Sequence, residues 1–124
     1  MTGVVTARRE AVLRLQVLGA ASSGQTLEVE AVIDTGFTGY LTLPGVLISQ
    51  LALRLHGTRE AVLGDGSRVM LDIYRGRVLW DGQPRDVQAL AAEGGALVGM
   101  SLLYGHELRL SVIDGGIVTI QALP

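Results

Sequence analysis

A chain of 124 residues supports one hydrophobic core rather than two, so it reads as a single domain over 1–124, and any site needing two lobes must recruit a second chain. With 48% hydrophobic residues, a mean hydropathy of +0.41 and 17 glycines against 3 prolines, the composition suits a compact, turn-rich β protein and excludes disorder. A net charge of −2 with scattered basic residues argues against nucleic acid as a partner, and the absence of cysteine excludes disulfides, thiol catalysis and thiolate metal sites.

The first predicted strand covers Ala11 to Val17, where Val12, Leu13, Leu15 and Val17 alternate in part with Arg14 and Gln16 before Gly19–Gly24 interrupts the pattern. Leu27, Val29, Ala31 and Ile33 alternate with Glu28, Glu30 and Val32, the period of a strand with one buried face, and this strand runs directly into Asp34-Thr35-Gly36. After the short apolar segment Leu41-Thr42-Leu43, Pro44 opens a predicted helix to Leu53, with Val46, Leu47 and Leu51 at roughly helical spacing.

Ala61-Val62-Leu63 and Val69-Met70-Leu71 flank Gly64-Asp65-Gly66-Ser67, which predicts a hairpin. Strand character continues through Ile73, Val78 and Trp80, reverses over Asp81-Gly82-Gln83-Pro84 and resumes from Val87 to Ala91. A second short helix is expected over Met100 to Tyr104, with Ser101 as N-cap and Gly105 as its stop. Leu108, Leu110 and Val112 alternate, Asp114-Gly115-Gly116 turns, and Ile117, Val118 and Ile120 close the chain. Many short strands with one or two short helices imply an all-β, closed or nearly closed architecture. No apolar run approaches the ~20 residues of a membrane span and no signal-peptide core precedes Ala11, so a soluble, cytoplasmic protein without a membrane partner is expected.

The stretch Asp34-Thr35-Gly36-Phe37-Thr38-Gly39, placed at the end of a hydrophobic strand, carries the chemistry. Taken alone, Asp-Thr-Gly is also an ordinary turn sequence that ends a strand, expected by chance in about two per cent of chains of this length. With the hairpin of 61–71 and the later Leu97-Val98-Gly99 leading into Met100-Ser101-Leu102-Leu103, it resembles the retropepsin-like (clan AA) aspartic proteases, in the single-domain bacterial form. The element order matches over roughly 11–105.

That resemblance implies a closed acid-protease barrel and an aspartic endopeptidase acting on polypeptide substrates without metal or cofactor. Asp34 would bind the attacking water, Thr35 would lock one loop to its dimer mate, and Gly36 would permit the turn beneath the carboxylate. The hairpin tip Gly64, Asp65 and Gly66 would act as a flap over substrate, and Phe37, where the viral enzymes carry alanine, would contact substrate. Two carboxylates held ~3 Å apart share one proton, so a chain with a single Asp-Thr-Gly needs a homodimer to build the pair. The alternatives are a retropepsin-fold module that binds extended peptides or oligomerises without cleaving them, and an unrelated small barrel in which Asp34 ends a strand.

Other residues hold weaker signals. His56 and His106 have no acidic residue at ligand spacing and read as solvated or capping groups. Asp65, Asp81 and Asp114 sit beside glycine in turns, Trp80 reads as packing, and Ser101 lacks the Gly-x-Ser-x-Gly setting of a serine hydrolase.

Overall fold

The computed structural model describes all 124 residues, Met1–Pro124. Ten strands and two short helices follow in the order β1 (Thr2–Val5), β2 (Ala11–Leu18), β3 (Thr26–Ile33), β4 (Leu41–Leu43), α1 (Gly45–Gln50), β5 (Arg54–Val62), β6 (Arg68–Trp80), β7 (Gln83–Ala91), β8 (Ala96–Val98), α2 (Met100–Leu103), β9 (His106–Leu110) and β10 (Ile117–Ala122).

Six of the strands close on themselves. The hydrogen-bonded order β6-β7-β4-β8-β3-β2 returns to β6 through an additional β2–β6 pairing, Val17↔Val78 and Leu18↔Arg77, and so makes a closed barrel. β5 pairs only with β6 and leaves the barrel as one arm of a long hairpin. On the other side β1 continues the sheet from β2 and is followed by β10 and β9.

The alternation read from the sequence explains the barrel wall. Leu13, Leu15 and Val17 of β2 are essentially inaccessible while Arg14 and Gln16 are exposed, and Val29 and Ala31 of β3 join them from the opposing strand. Leu41, Leu43, Val78, Ala89, Val98, Leu102 and Ile120 complete the interior within one cluster of 19 buried residues. Full burial of each larger aliphatic side chain is worth about 1.5–3 kcal/mol.

Several expected boundaries move, each for a local reason. The first helix is shorter than Pro44 to Leu53: Pro44 is the N-cap in extended conformation, and the helix ends at Gln50. Leu51 and Leu53 are both buried, yet residues two apart lie ~200° apart around a helix. Ala52 reconciles the two by adopting φ +53, which ends the helix and turns Leu53 inward. The β6–β7 reversal is tighter than Asp81–Pro84. Asp81 and Gly82, at φ +53 and +79, form a two-residue turn of the kind that matches strand twist, so Gln83 and Pro84 already belong to β7. The second helix is capped by Gly99 rather than Ser101, whose hydroxyl instead donates to the Thr38 carbonyl. Ahead of the first predicted strand, Thr2–Val5 form β1, and Val112 lies beyond β9, exposed in the turn leading to β10.

His106 is half-buried beside Tyr104, the C-cap of α2, and also makes a contact that the sequence does not suggest. The buried Trp80 donates its indole N–H to His106 Nε2 at 3.1 Å, edge-on at 83°, while His106 Nδ1 faces the Tyr104 carbonyl at 3.1 Å. An accepting Nε2 places the ring hydrogen on Nδ1, so one tautomer satisfies both contacts. His106→Ala leaves the indole donor unpaired and is expected to cost about 1–2 kcal/mol in urea unfolding. Emission of the single tryptophan reports it directly. An unchanged midpoint would mean that solvent replaces the imidazole without loss.

Candidate active site

Asp34 stands where β3 ends. Its own N–H donates to the Val98 carbonyl at the end of β8, the strand parallel to β3 that lies between β3 and β4. The loop then folds under itself: the Phe37 N–H donates to the Asp34 carbonyl (3.1 Å) and the Gly36 N–H to Asp34 Oδ1 (2.9 Å). A Cβ on Gly36 would sit 3.2 Å from that carboxylate oxygen, tighter than ordinary contact. Glycine therefore keeps the carboxylate's flank open. Asp34 is half-buried, and Thr35 and Gly36 are exposed.

The two segments singled out in the sequence, 34–39 and 97–101, are laced together. Gly99 N–H donates to Tyr40 O, Met100 N–H to Phe37 O and Ser101 N–H to Gly39 O, at 2.8–3.1 Å, and the Ser101 hydroxyl adds Thr38 O. Nothing larger than glycine fits at 99, because a Cβ there would enter the Gly39 carbonyl oxygen and lie within 2.8 Å of the Phe37 carbonyl. The Phe37 ring lies against Gly39 and Gly99, half-buried beneath the loop.

Two further residues support this region without a signal in the sequence. Thr42, the one buried polar side chain, accepts the Leu97 N–H and so joins β4 to β8. Arg85 donates to the Ser101 and Leu102 carbonyls of α2 and lies about 6 Å over the Tyr40 and Trp80 rings, close enough for cation–π attraction. Only the fold brings Arg85 to α2.

Gly64, Asp65 and Gly66 form the tip of the β5–β6 hairpin, as expected, but the arms are much longer than 61–71, running from Arg54 to Val62 and from Arg68 to Trp80. The Leu63 N–H donates to Ser67 O, the Gly66 N–H to Leu63 O, and Gly66 takes φ +84. Ser67 donates its hydroxyl and its backbone N–H to Asp65 Oδ1, the hydroxyl contributing most, and together they hold the Asp65 carboxyl below the usual aspartate range. A depressed carboxyl contributes its stabilisation above the unfolded value and loses it as pH falls through the folded one. The tip is thus expected to stay hydrogen-bonded in weak acid and to loosen only in stronger acid, followed by the Ser67 amide resonance. Asp65→Asn should remove that titration; a wild-type midpoint at the ordinary aspartate value would contradict it.

No group of three or more His, Asp or Glu side chains lies within reach of a common metal ion, and no helix is long and apolar enough to cross a membrane. A cavity lies on the flank where β5 and β6 leave the barrel, lined by no residue of Asp34–Gly39.

No family model and no curated protein matches the chain. Among solved structures it is similar to a retropepsin-like aspartic protease from Rickettsia conorii, with a TM-score of 0.61 at 15% identity, covering 100% of this chain and 91% of that one. The fold is retropepsin-like. Within a retropepsin-like barrel, the loop at Asp34, the long hairpin and the β8–α2 segment occur in the element order that the sequence implied.

Proposed function

We propose that the chain is an aspartic endopeptidase whose carboxylate pair is Asp34 from each of two identical subunits. The observation that carries this reading is the setting of Asp34: a half-buried carboxylate on a glycine-flanked loop, tied to Val98 and braced by Gly99–Ser101, inside a retropepsin-like barrel. A lone carboxylate is a weak catalyst for amide hydrolysis. Two brought to ~3 Å share a proton, so the ionised one takes a proton from water while the other protonates the scissile carbonyl oxygen. The tetrahedral intermediate then collapses, the C–N bond breaks, and the leaving amine takes up a proton from the pair.

The sheet offers a surface for the second copy. Val32, two residues before Asp34, is in register with Val12, Val12 with Val4, and Val4 with Ile117, a single apolar row across β3, β2, β1 and β10. Its outer end is open: Val4 and Ile117 are 43% and 61% exposed, and Val112 and Ile113 in the adjoining turn are exposed as well. An isologous contact on this face would bring the two Asp34 loops toward one axis, with the exposed Thr35 hydroxyls available to bond across it. Gly64, Asp65 and Gly66 would close over an extended peptide, and Phe37 would line the floor of its site through the edge of its ring.

The test is digestion of an unstructured peptide library between acid and neutral pH over a range of protein concentrations, with sedimentation in parallel. Cleavage whose specific rate rises as the dimer forms supports the proposal. No cleavage at concentrations where the chain is dimeric would replace it with peptide binding without hydrolysis.

A further inference from the structure

The cavity on the β5–β6 flank, about 570 Å³, is walled by the turn after β2, the start of β5, the base of β6 and part of β7, and none of its lining residues belongs to the Asp34–Gly39 loop. Its charge is unusual for a chain of net −2. Arg54, Arg75 and Arg77 line it together with one carboxylate, Asp86, which is already paired with Arg77 at 3.2 Å.

Arg54 and Arg75 have no carboxylate within 4 Å, whereas Arg77 beside them is paired with Asp86. They are also direct partners across the β5–β6 ladder, an arrangement of like charges that destabilises a sheet. Beside them His56, at the register shift between Leu55 and Gly57, accepts the Arg75 Nε–H through Nδ1 at 3.1 Å. An accepting Nδ1 leaves the other ring nitrogen, Nε2, as a further N–H donor. The cavity thus gathers guanidinium and imidazole donors, with Asp86 as its single carboxylate. Leu18, Tyr40, Leu53 and Val87 supply an apolar remainder, and the volume falls in the range of small-molecule sites.

We infer that this cavity binds a small organic oxyanion, a carboxylate or phosphate ester with an apolar body, whose head group bridges Arg54 and Arg75. Guanidinium forks pair with such groups through parallel N–H···O bonds, and the bridging anion would relieve the repulsion between the two arginines. The inference does not depend on catalysis at Asp34.

The experiment is calorimetric titration of the full chain with hexanoate, hexyl phosphate, methyl hexanoate and inorganic phosphate, with amide chemical-shift mapping of the same mixtures. Hexanoate or hexyl phosphate should bind saturably, whichever is tighter identifying the head group, with shifts concentrated at 54–56, 75–77 and 86–88. Arg54→Gln and Arg75→Gln should each weaken binding by about tenfold, the loss of one charge-assisted hydrogen-bonded contact. Arg59→Gln, on the same strand but outside the cavity, and Asp34→Asn should bind as the wild type does. The inference is overturned if methyl hexanoate binds as tightly as hexanoate, if inorganic phosphate matches hexyl phosphate, if shifts fall elsewhere, or if both arginine variants bind unchanged.

Discussion

Asp34→Asn is expected to reduce peptide cleavage by about 10²–10⁴-fold, the size of a general acid–base contribution, while the folded protein survives. Asparagine keeps an oxygen at Oδ1 to accept the Gly36 N–H, so the loop's own hydrogen bonds have no reason to change. One substitution removes both carboxylates of the proposed pair, and this makes mixtures informative. If wild type and variant associate at random in equal amounts, about one quarter of the dimers retain two carboxylates, so activity should fall to about that fraction of an equal concentration of wild type. A fall to one half would mean that each chain works alone. Full activity in the pure variant would remove Asp34 from the chemistry.

Gly99→Ala is expected to cost about 2–3 kcal/mol in urea unfolding, because the new methyl meets backbone rather than a side chain that can turn away. The Gly39 and Phe37 carbonyls in its path belong to the Asp34 loop, so the loop must move to admit it. A displacement near 1 Å is enough to lower a reaction rate about a hundredfold. Combining the change with Phe37→Ala separates the causes: removing the ring should recover part of the loss, and the carbonyl clash should keep the rest. Gly45→Ala is the control, since nothing lies within 4 Å of a Cβ there and the site opens α1. It should be neutral or slightly stabilising. Equal stability of Gly99→Ala and wild type would show that the loop is not braced by β8 and α2 as described.

What the sequence made legible was local. Alternation in 11–17 and 27–33 identified β2 and β3 because one face of each is buried and the other wet, and Gly64–Ser67 identified a turn because its glycines and aspartate favour one. Asp34-Thr35-Gly36 stood out because it closes such a strand. Partners were not legible. Three-residue strands such as β4 and β8 are too short to show a period, and the places of β8 beside β3 and of β4 beside β8 depend on hydrogen bonds to segments more than fifty residues away, among them Leu97 to Thr42. The same holds for Trp80 with His106, whose contact spans 26 positions, and for Arg54 facing Arg75, which only the ladder register reveals. Phe37 was read as a substrate contact from its neighbour Asp34, whereas its packing on Gly99 required the fold.

The seam that closes the barrel consists of two residue pairs, Val17↔Val78 and Leu18↔Arg77, whereas β6 and β7 share eight. Joining that seam demands the ordering of about sixty intervening residues, an entropic cost incurred before its hydrogen bonds form. Assembly should therefore run through an open, curved sheet that zips shut late. In the native state the same short stretch is one of two places, with the equally short β4–β8 pairing, where the barrel wall is held by only two residue pairs. Of the two, β4–β8 has the Thr42 side-chain bond to Leu97 as an extra tie that β2–β6 lacks.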